Sequence, residues 1–172
     1  MANSNSLIRD SNPRAGKSTS SLKLIYIFDL QCPACSISNI AMNKIVDIYK
    51  DRIEIIYKNF PLPIHPQAKP AAYAAQALYI QKPDKFVEFK DKVYQQQANL
   101  SPEVLENMAK SFNLDMDKWS VNKNSKQVQD FVSRDVSDLS QPNLPTSSYE
   151  TGNNRIQATP SFILLKDDKV IT

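Results

Sequence analysis

The chain has 172 residues, 41% of them hydrophobic and 23% charged, and carries a formal net charge of +3. That length suits one domain with a real core, and so small and dispersed a charge, with no block of five like charges, excludes nucleic acid as an expected partner. The longest apolar runs span about 5–8 residues against the roughly 20 that a membrane-spanning helix needs, and residues 1–21 lack the apolar stretch of a signal peptide.

Residues 1–21 read as a polar N-terminal segment. LKLIYIF, residues 22–28, is β-branched and aromatic and predicts a buried strand. CPAC follows, and then Ile37, Ile40, Met42, Ile45, Val46 and Tyr49 recur at helical spacing. Pro33 suits the first turn of that helix, where a missing N–H costs nothing. IEIIYKNF predicts a second strand, completing β–α–β with both strands apolar enough for the inside of a sheet.

After PLPIHPQAKP the pattern turns helical. PAAYAAQALYI is rich in alanine, a strong helix former, and Pro83 separates it from DKFVEFKDKVYQQQ. SPEVLENMAKSF opens with Ser101 as a capping residue, glutamates at 103 and 106 nearby, and Pro102 in the first helical position. DMDKWSVNKNSKQVQDFVSRDVSDL continues as one or two helices. QPNLPTSSYETGNNRIQ is a polar loop, and TPSFILLKDDKVIT predicts a strand, a Lys-Asp-Asp turn and the start of another strand.

A helical block of about 80–90 residues between two strand regions is far longer than the dozen or so a crossover requires. The chain therefore reads as a small α/β domain, residues 22–66 and 141–172, with a helical insertion at 67–140.

Cys32 and Cys35 are the only cysteines. At a strand–helix junction Cys32 falls near the N-cap, where the positive end of the helix dipole and free N–H groups favour a reactive thiolate. Two intervening residues put the second sulfur one turn further in, within disulfide range. Cys32 is then the exposed nucleophile and Cys35 the resolving thiol. Zinc fits less well: two thiolates and the single histidine, His65, leave a structural site one ligand short. No metal and no cofactor are expected. Thr159-Pro160 stands at the start of a predicted strand, where proline is tolerated; a cis bond there turns the Thr159 backbone outward, although most X–Pro bonds are trans.

FDLQCPACS, YKNFPLPIHPQAKPAAYAAQAL and ATPSFILL, in this order, resemble the DsbA-like thiol:disulfide oxidoreductases of the thioredoxin superfamily. The similarity runs from Leu22 to Val170 and is greatest to bacterial extracytoplasmic members whose site reads D-x-Q-C-P-x-C. It implies a thioredoxin fold with a helical subdomain inserted after the second strand. Cys32 would exchange with the substrate sulfur, Cys35 would resolve the mixed disulfide, Pro160 would be cis against the pair, and Thr159 would hydrogen-bond the substrate backbone. The stretch Pro61–Pro66 would lie near the site, with Lys58 on the strand before it. The resemblance further implies cysteine-containing protein substrates, a membrane redox partner of the DsbB or VKOR kind, a monomer, and a place outside the cytoplasm with the export signal absent from this chain; the sequence leaves a cytoplasmic place open. The activity expected is that of an oxidase, with a reductase or isomerase, or a redox-inactive peptide-binding module, as alternatives.

Three departures stand out. Many relatives carry a buried glutamate six residues before the first cysteine, which would relay a proton to or from the resolving thiol; here the residue is Tyr26, and a phenol with a reference pKa of about 10 is a poor proton shuttle at pH 7. Water or Glu54 would take its place, or exchange would be slower. The loop Gln141–Ala158 is longer than in relatives and would reshape the substrate groove. Relatives usually end in a helix on the sheet, whereas this sequence stops at Thr172, inside or just after the hairpin, so either this sheet would lack one cover or the chain is a fragment. Between the cysteines, Pro33 and Ala34 offer no charge, so a less extreme thiolate is expected than in a Cys-Pro-His-Cys site.

The remaining candidates read as structure. His65 either assists proton transfer or braces its loop. Trp119 and Phe131, and the run Phe86, Phe89, Tyr94, read as core. The Lys/Asp pattern over residues 82–92 reads as a solvated face.

Overall fold

Five strands form one mixed sheet in the computed structural model, which describes residues 7–141, 144 and 156–171. They are β1 (Arg14–Gly16), β2 (Leu22–Phe28), β3 (Glu54–Asn59), β4 (Ser161–Lys166) and β5 (Lys169–Val170), in spatial order β1-β3-β2-β4-β5. β2 and β3 are parallel and joined by α1 (Pro33–Tyr49); the other pairings are antiparallel. Between β3 and β4 lie α2 (Ala68–Gln81), α3 (Phe86–Gln95), α4 (Pro102–Lys110), α5 (Met116–Asn124) and α6 (Lys126–Leu139). This is the thioredoxin-like architecture expected.

Local chemistry sets the helix boundaries. The Ser101 side chain accepts from Val104 N at 3.2 Å, with Pro102 next to it; Val104 occupies the third helical position, so no glutamate returns the bond. Ser125 ends α5 and starts α6, its hydroxyl accepting from Val128 N at 3.2 Å.

The period-2 alternation of the strands divides the core in two. Tyr26, Phe28, Ile55 and Tyr57 face α1 and the helices α2–α5, where Phe86, Phe89 and Trp119 are fully buried. Burying each such side chain contributes about 1.5–3 kcal/mol. Tyr26 stacks on Phe28 at 5.5 Å and on Phe162 at 5.2 Å between ring centroids. Ile25, Ile27, Ile56, Ile163 and Leu165 face the other way and pack with Leu139 of α6 and with Leu7.

Four expectations change. The N-terminal segment is not merely polar: Leu7 and Asn12 are buried, and residues 14–16 pair with β3 as an edge strand. Gly16 permits this, because its φ of +80° and the closeness of the Ile53 carbonyl leave no room for a Cβ. The sheet does not lack a cover, since the end of α6 and the segment around Leu7 close the second face. On α1 the buried residues are Cys35, Asn39 and Met42, whereas Ile37 and Ile40 are 73% and 65% exposed; periodicity located the helix but not the side it buries. The solvated face over 82–92 is interrupted by Lys90, which is fully buried.

Candidate active site

β2 carries the chain to Phe28, and five residues later α1 begins. Cys32 is the N-cap of α1 in extended conformation and Pro33 is its first residue. The Cys32 carbonyl accepts from Cys35 N at 3.1 Å and Ser36 N at 3.2 Å, closing the first turn. Pro33 and Ala34 are exposed on the rim.

Cys32 is not the openly exposed sulfur expected. It is 6% exposed, and its Sγ donates to the Thr159 carbonyl at 3.4 Å. The Thr159-Pro160 peptide is cis. Cys35 is fully buried, and both cysteines are free thiols. Burial pushes the Cys35 thiol up to about 12, against the Thr159 hydroxyl and the Asp29 N–H, which pull it down. The Asp29 N–H donates to Cys35 Sγ at 3.5 Å.

Asp29 organises the turn between strand and helix. Its carboxylate is buried and accepts from Gln31 N at 2.7 Å, Leu62 N at 2.9 Å and His65 Nδ1 at 2.6 Å. Its carbonyl accepts from Cys32 N at 3.1 Å and from the Tyr94 hydroxyl at 3.5 Å. His65 is thereby a brace that ties the proline-rich loop to the site. The segment after α3 supplies a second brace: Gln97 Nε2 donates to the carbonyls of Leu30 at 3.0 Å and Cys32 at 3.1 Å.

Tyr26 lies under the helix start, its hydroxyl 3.0 Å from Ser38 Oγ and 3.4 Å from the Cys35 carbonyl, which it donates to. Burial raises its pKa above the ordinary 10.0, so it holds its proton. Lys58 does not belong to this site. It points to the opposite face of the sheet, where it is fully buried and paired with Asp138 at 3.0 Å and Asp135 at 3.2 Å. Glu54 cannot replace the missing acid either: it sits at the other end of β3 and pairs with Arg14 at 2.9 Å. Of the loop 141–158, residues 142, 143 and 145–155 lie outside the described residues, and with them the expected reshaping of the groove. Among the described residues no three His, Cys, Asp or Glu side chains converge as metal ligands.

The structure thus brings together Cys32, Cys35, Pro33, Ala34, Thr159, Pro160, Tyr26 and His65, and excludes Lys58. Sequence reasoning missed Asp29 and Gln97 and read Tyr94 only as core. Asp29 and Gln31 stand in FDLQCPACS, yet their hydrogen-bonding role needed the fold; Gln97 carried no signal at all.

The family model described as thioredoxin matches residues 9–172. No curated protein matches the chain. Among solved structures, the catalytic domain of Proteus mirabilis ScsC superposes with a TM-score of 0.74 at 20% identity, covering 97% of this chain and 84% of that one. The thiol-disulfide exchange protein alpha-DsbA2 from Wolbachia pipientis gives 0.72 at 17% identity, covering 96% and 81%. A periplasmic thioredoxin-like protein from Salmonella enterica serovar Typhimurium gives 0.70 at 18% identity, covering 92% and 81%. At such identities the likeness establishes a shared fold.

Proposed function

The chain belongs to the thioredoxin family, and on that premise we propose that it is a DsbA-like thiol:disulfide oxidoreductase that introduces disulfides into protein substrates. The observation that carries this reading is the Cys32 sulfur at the first turn of α1, with Cys35 buried one turn behind and the Thr159 carbonyl at 3.4 Å.

In the oxidising direction a substrate thiolate attacks Cys32 Sγ of the Cys32–Cys35 disulfide. The new bond joins substrate to Cys32, and the electron pair of the broken bond leaves on Cys35, which takes a proton. A second substrate thiol, deprotonated, then attacks the substrate sulfur of the mixed disulfide and expels the Cys32 thiolate. The substrate has lost two electrons and two protons, and the enzyme has become a dithiol. Several parts of the site support these steps. Cys32 is the N-cap of α1, where a thiolate would be favoured by the positive end of the helix. Asp29, His65 and Gln97 fix the loop that presents it. Thr159 and Pro160 are the edge on which we place an extended substrate backbone. Reoxidation falls to a membrane partner of the DsbB or VKOR kind, and a place outside the cytoplasm accords with the periplasmic protein of the same fold.

The test is a pair of assays, reduction of insulin and oxidation of reduced ribonuclease, on Cys32→Ser. Both activities should disappear; a variant that keeps them ends this reading. The direction follows from the equilibrium of the pair with glutathione, since an oxidase lies near about −120 mV and a reductase near about −270 mV.

A further inference from the structure

Cys35 must bear negative charge each time a disulfide at Cys32 opens or is resolved, and it must do so where burial holds its thiol near 12. The acid that many relatives place beneath it is Tyr26 here. A different charged group is buried one turn further along α1, against Asn39. Lys90 of α3 is fully buried on the same face of the sheet, its Nζ against Asn39 Oδ1 and 2.8 Å from Asp91 Oδ1. The ammonium also lies over the rings of Tyr57 and Tyr94, 5.8 and 5.7 Å from their centroids.

Helical register aligns this group with the resolving thiol. Cys35 and Asn39 are one turn apart on the buried side of α1; Lys90 and Tyr94 are one turn apart on α3. Lys90 meets Asn39, and Tyr94 reaches the Asp29 carbonyl beside Cys35. The Asp29 N–H in turn donates to Cys35 Sγ at 3.5 Å, and burial raises the Tyr94 hydroxyl pKa well above its ordinary value. The counter-charge is the more exposed end of the pair, Asp91 at 27% against 0% for Lys90. Asp91 is bound by Asn39 Nδ2 at 2.7 Å and Asn43 Nδ2 at 2.9 Å and helps line a groove of about 380 Å³ with Ser36, Ile40, Tyr94 and Gln95. Burial lowers the Lys90 pKa and Asp91 draws it back up, so Lys90 is the inner, charged end of the ion pair. Asp29, Asp91, Tyr26, Tyr57 and Tyr94 are the titratable groups around it, and Lys58, the other fully buried cation among the described residues, is on the far face of the sheet.

We propose that Lys90 is a positioning residue for disulfide exchange, its ammonium held by Asn39, Tyr57 and Tyr94 so as to stabilise negative charge on the Cys35 sulfur. The inference rests on the oxidoreductase reading and assigns stabilisation of the buried thiolate, a task distinct from an acid's proton relay, to a cation from α3.

The reaction of the reduced protein with glutathione disulfide tests it. Cys32 thiolate first forms a mixed disulfide and releases one glutathione; Cys35 thiolate then attacks Cys32 Sγ and releases the second. The first step depends on glutathione disulfide concentration and the second does not, so rapid mixing and acid quenching separate them. Lys90→Met removes the charge at constant length. Lys90→Met/Asp91→Leu removes both charges, a replacement that buried ion pairs often tolerate, and decides the matter if the single variant does not fold. In both, the second step should slow about tenfold relative to the first, the equivalent of about one pKa unit on Cys35. Its logarithmic rate–pH line should drop by about one unit between pH 6 and 9. A merely structural role would lower stability and leave that line in place. A folded variant whose second step stays within twofold of the parent overturns the proposal, whereas a parent that forms no mixed disulfide overturns the oxidoreductase reading on which it rests.

Discussion

His65 Nδ1 lies 2.6 Å from Asp29 Oδ2, and through this contact the proline-rich loop is fastened to the residue whose backbone touches both cysteines. Three donors converge on one buried carboxylate. Hydrogen bonds to a charged group contribute roughly 1.5–3 kcal/mol, and leaving a buried donor unpaired costs about 1–3. Asp29→Ala should therefore lower stability by about 3 kcal/mol in urea unfolding and also slow mixed-disulfide formation at Cys32. His65→Ala removes one of the three donors and should cost about 1 kcal/mol. Equal losses in the two variants would mean that the carboxylate does not organise the loop.

Gln97 reaches from the segment after α3 to the carbonyls of Leu30 and Cys32. Gln97→Leu removes both bonds at a half-buried position, where a net cost of about 1 kcal/mol is expected. The exchange rate should fall severalfold while the melting temperature changes by only a few degrees. An unchanged rate would show that α1 and Asp29 hold Cys32 without help from Gln97.

Lys58 belongs to a different network, with Asp135, Asp138, Arg9 and Asn12, that clasps α6 and the N-terminal segment to the back of the sheet. Removing one partner of a buried charge cluster typically costs 3–5 kcal/mol. Lys58→Met should lose about that much in urea unfolding, yet its glutathione equilibrium should stay within twofold of the parent. A shifted equilibrium in the folded variant would return Lys58 to the active site.

These contrasts show how far the residues spoke for themselves. Cys32 and Cys35 were legible because their chemistry is tied to a short motif; Thr159 and Pro160 stood at a strand boundary, and only the family resemblance singled them out. The β–α–β unit was legible because LKLIYIF and IEIIYKNF are apolar on both faces. The two buried lysines were not, for opposite reasons. Lys58 sits in such a run, and a one-residue parity decides which face it joins. Lys90 looks like one more charge on a Lys/Asp helix, and only the packing of α3 on α1 reveals it as interior. Residues 14–16, Arg-Ala-Gly, carry no strand signal; the exposed edge of β3 recruits them.

Gly16 is where that recruitment is most sensitive. Its φ is +80°, and a Cβ would run into the Ile53 carbonyl. Gly16→Ala combines left-handed strain of roughly 1–2 kcal/mol with a backbone clash. Stability should fall by at least about 2 kcal/mol, with amide protection lost first at Arg14 to Gly16 and their β3 partners. Retained protection there would show that the edge strand adjusts without cost.

The raised Cys35 thiol makes stability depend on alkaline pH in a way that can be isolated. In the unfolded chain the thiol ionises near its ordinary 9.0; in the folded protein burial holds the proton until about 12. Between these values the folded state binds more protons than the unfolded one, so stability must fall as pH rises. The contribution is intact below pH 9 and lost progressively above it. Tyr26, Tyr57 and Tyr94, also raised by burial, titrate in the same region, so the Cys35 effect must be read as a difference. Cys32→Ser retains the Cys35 thiol, and Cys32→Ser/Cys35→Ala lacks it while keeping the tyrosines. Between pH 9 and 10.5 the first should lose about 1–2 kcal/mol more than the second in urea unfolding, from the 1.36 kcal/mol that each pKa unit represents. Parallel curves for the two variants would mean that the sulfur is reached by water and ionises in the folded protein as it does in the unfolded chain. In that case the buried resolving thiol, and the need for a cation to stabilise it, would both be gone.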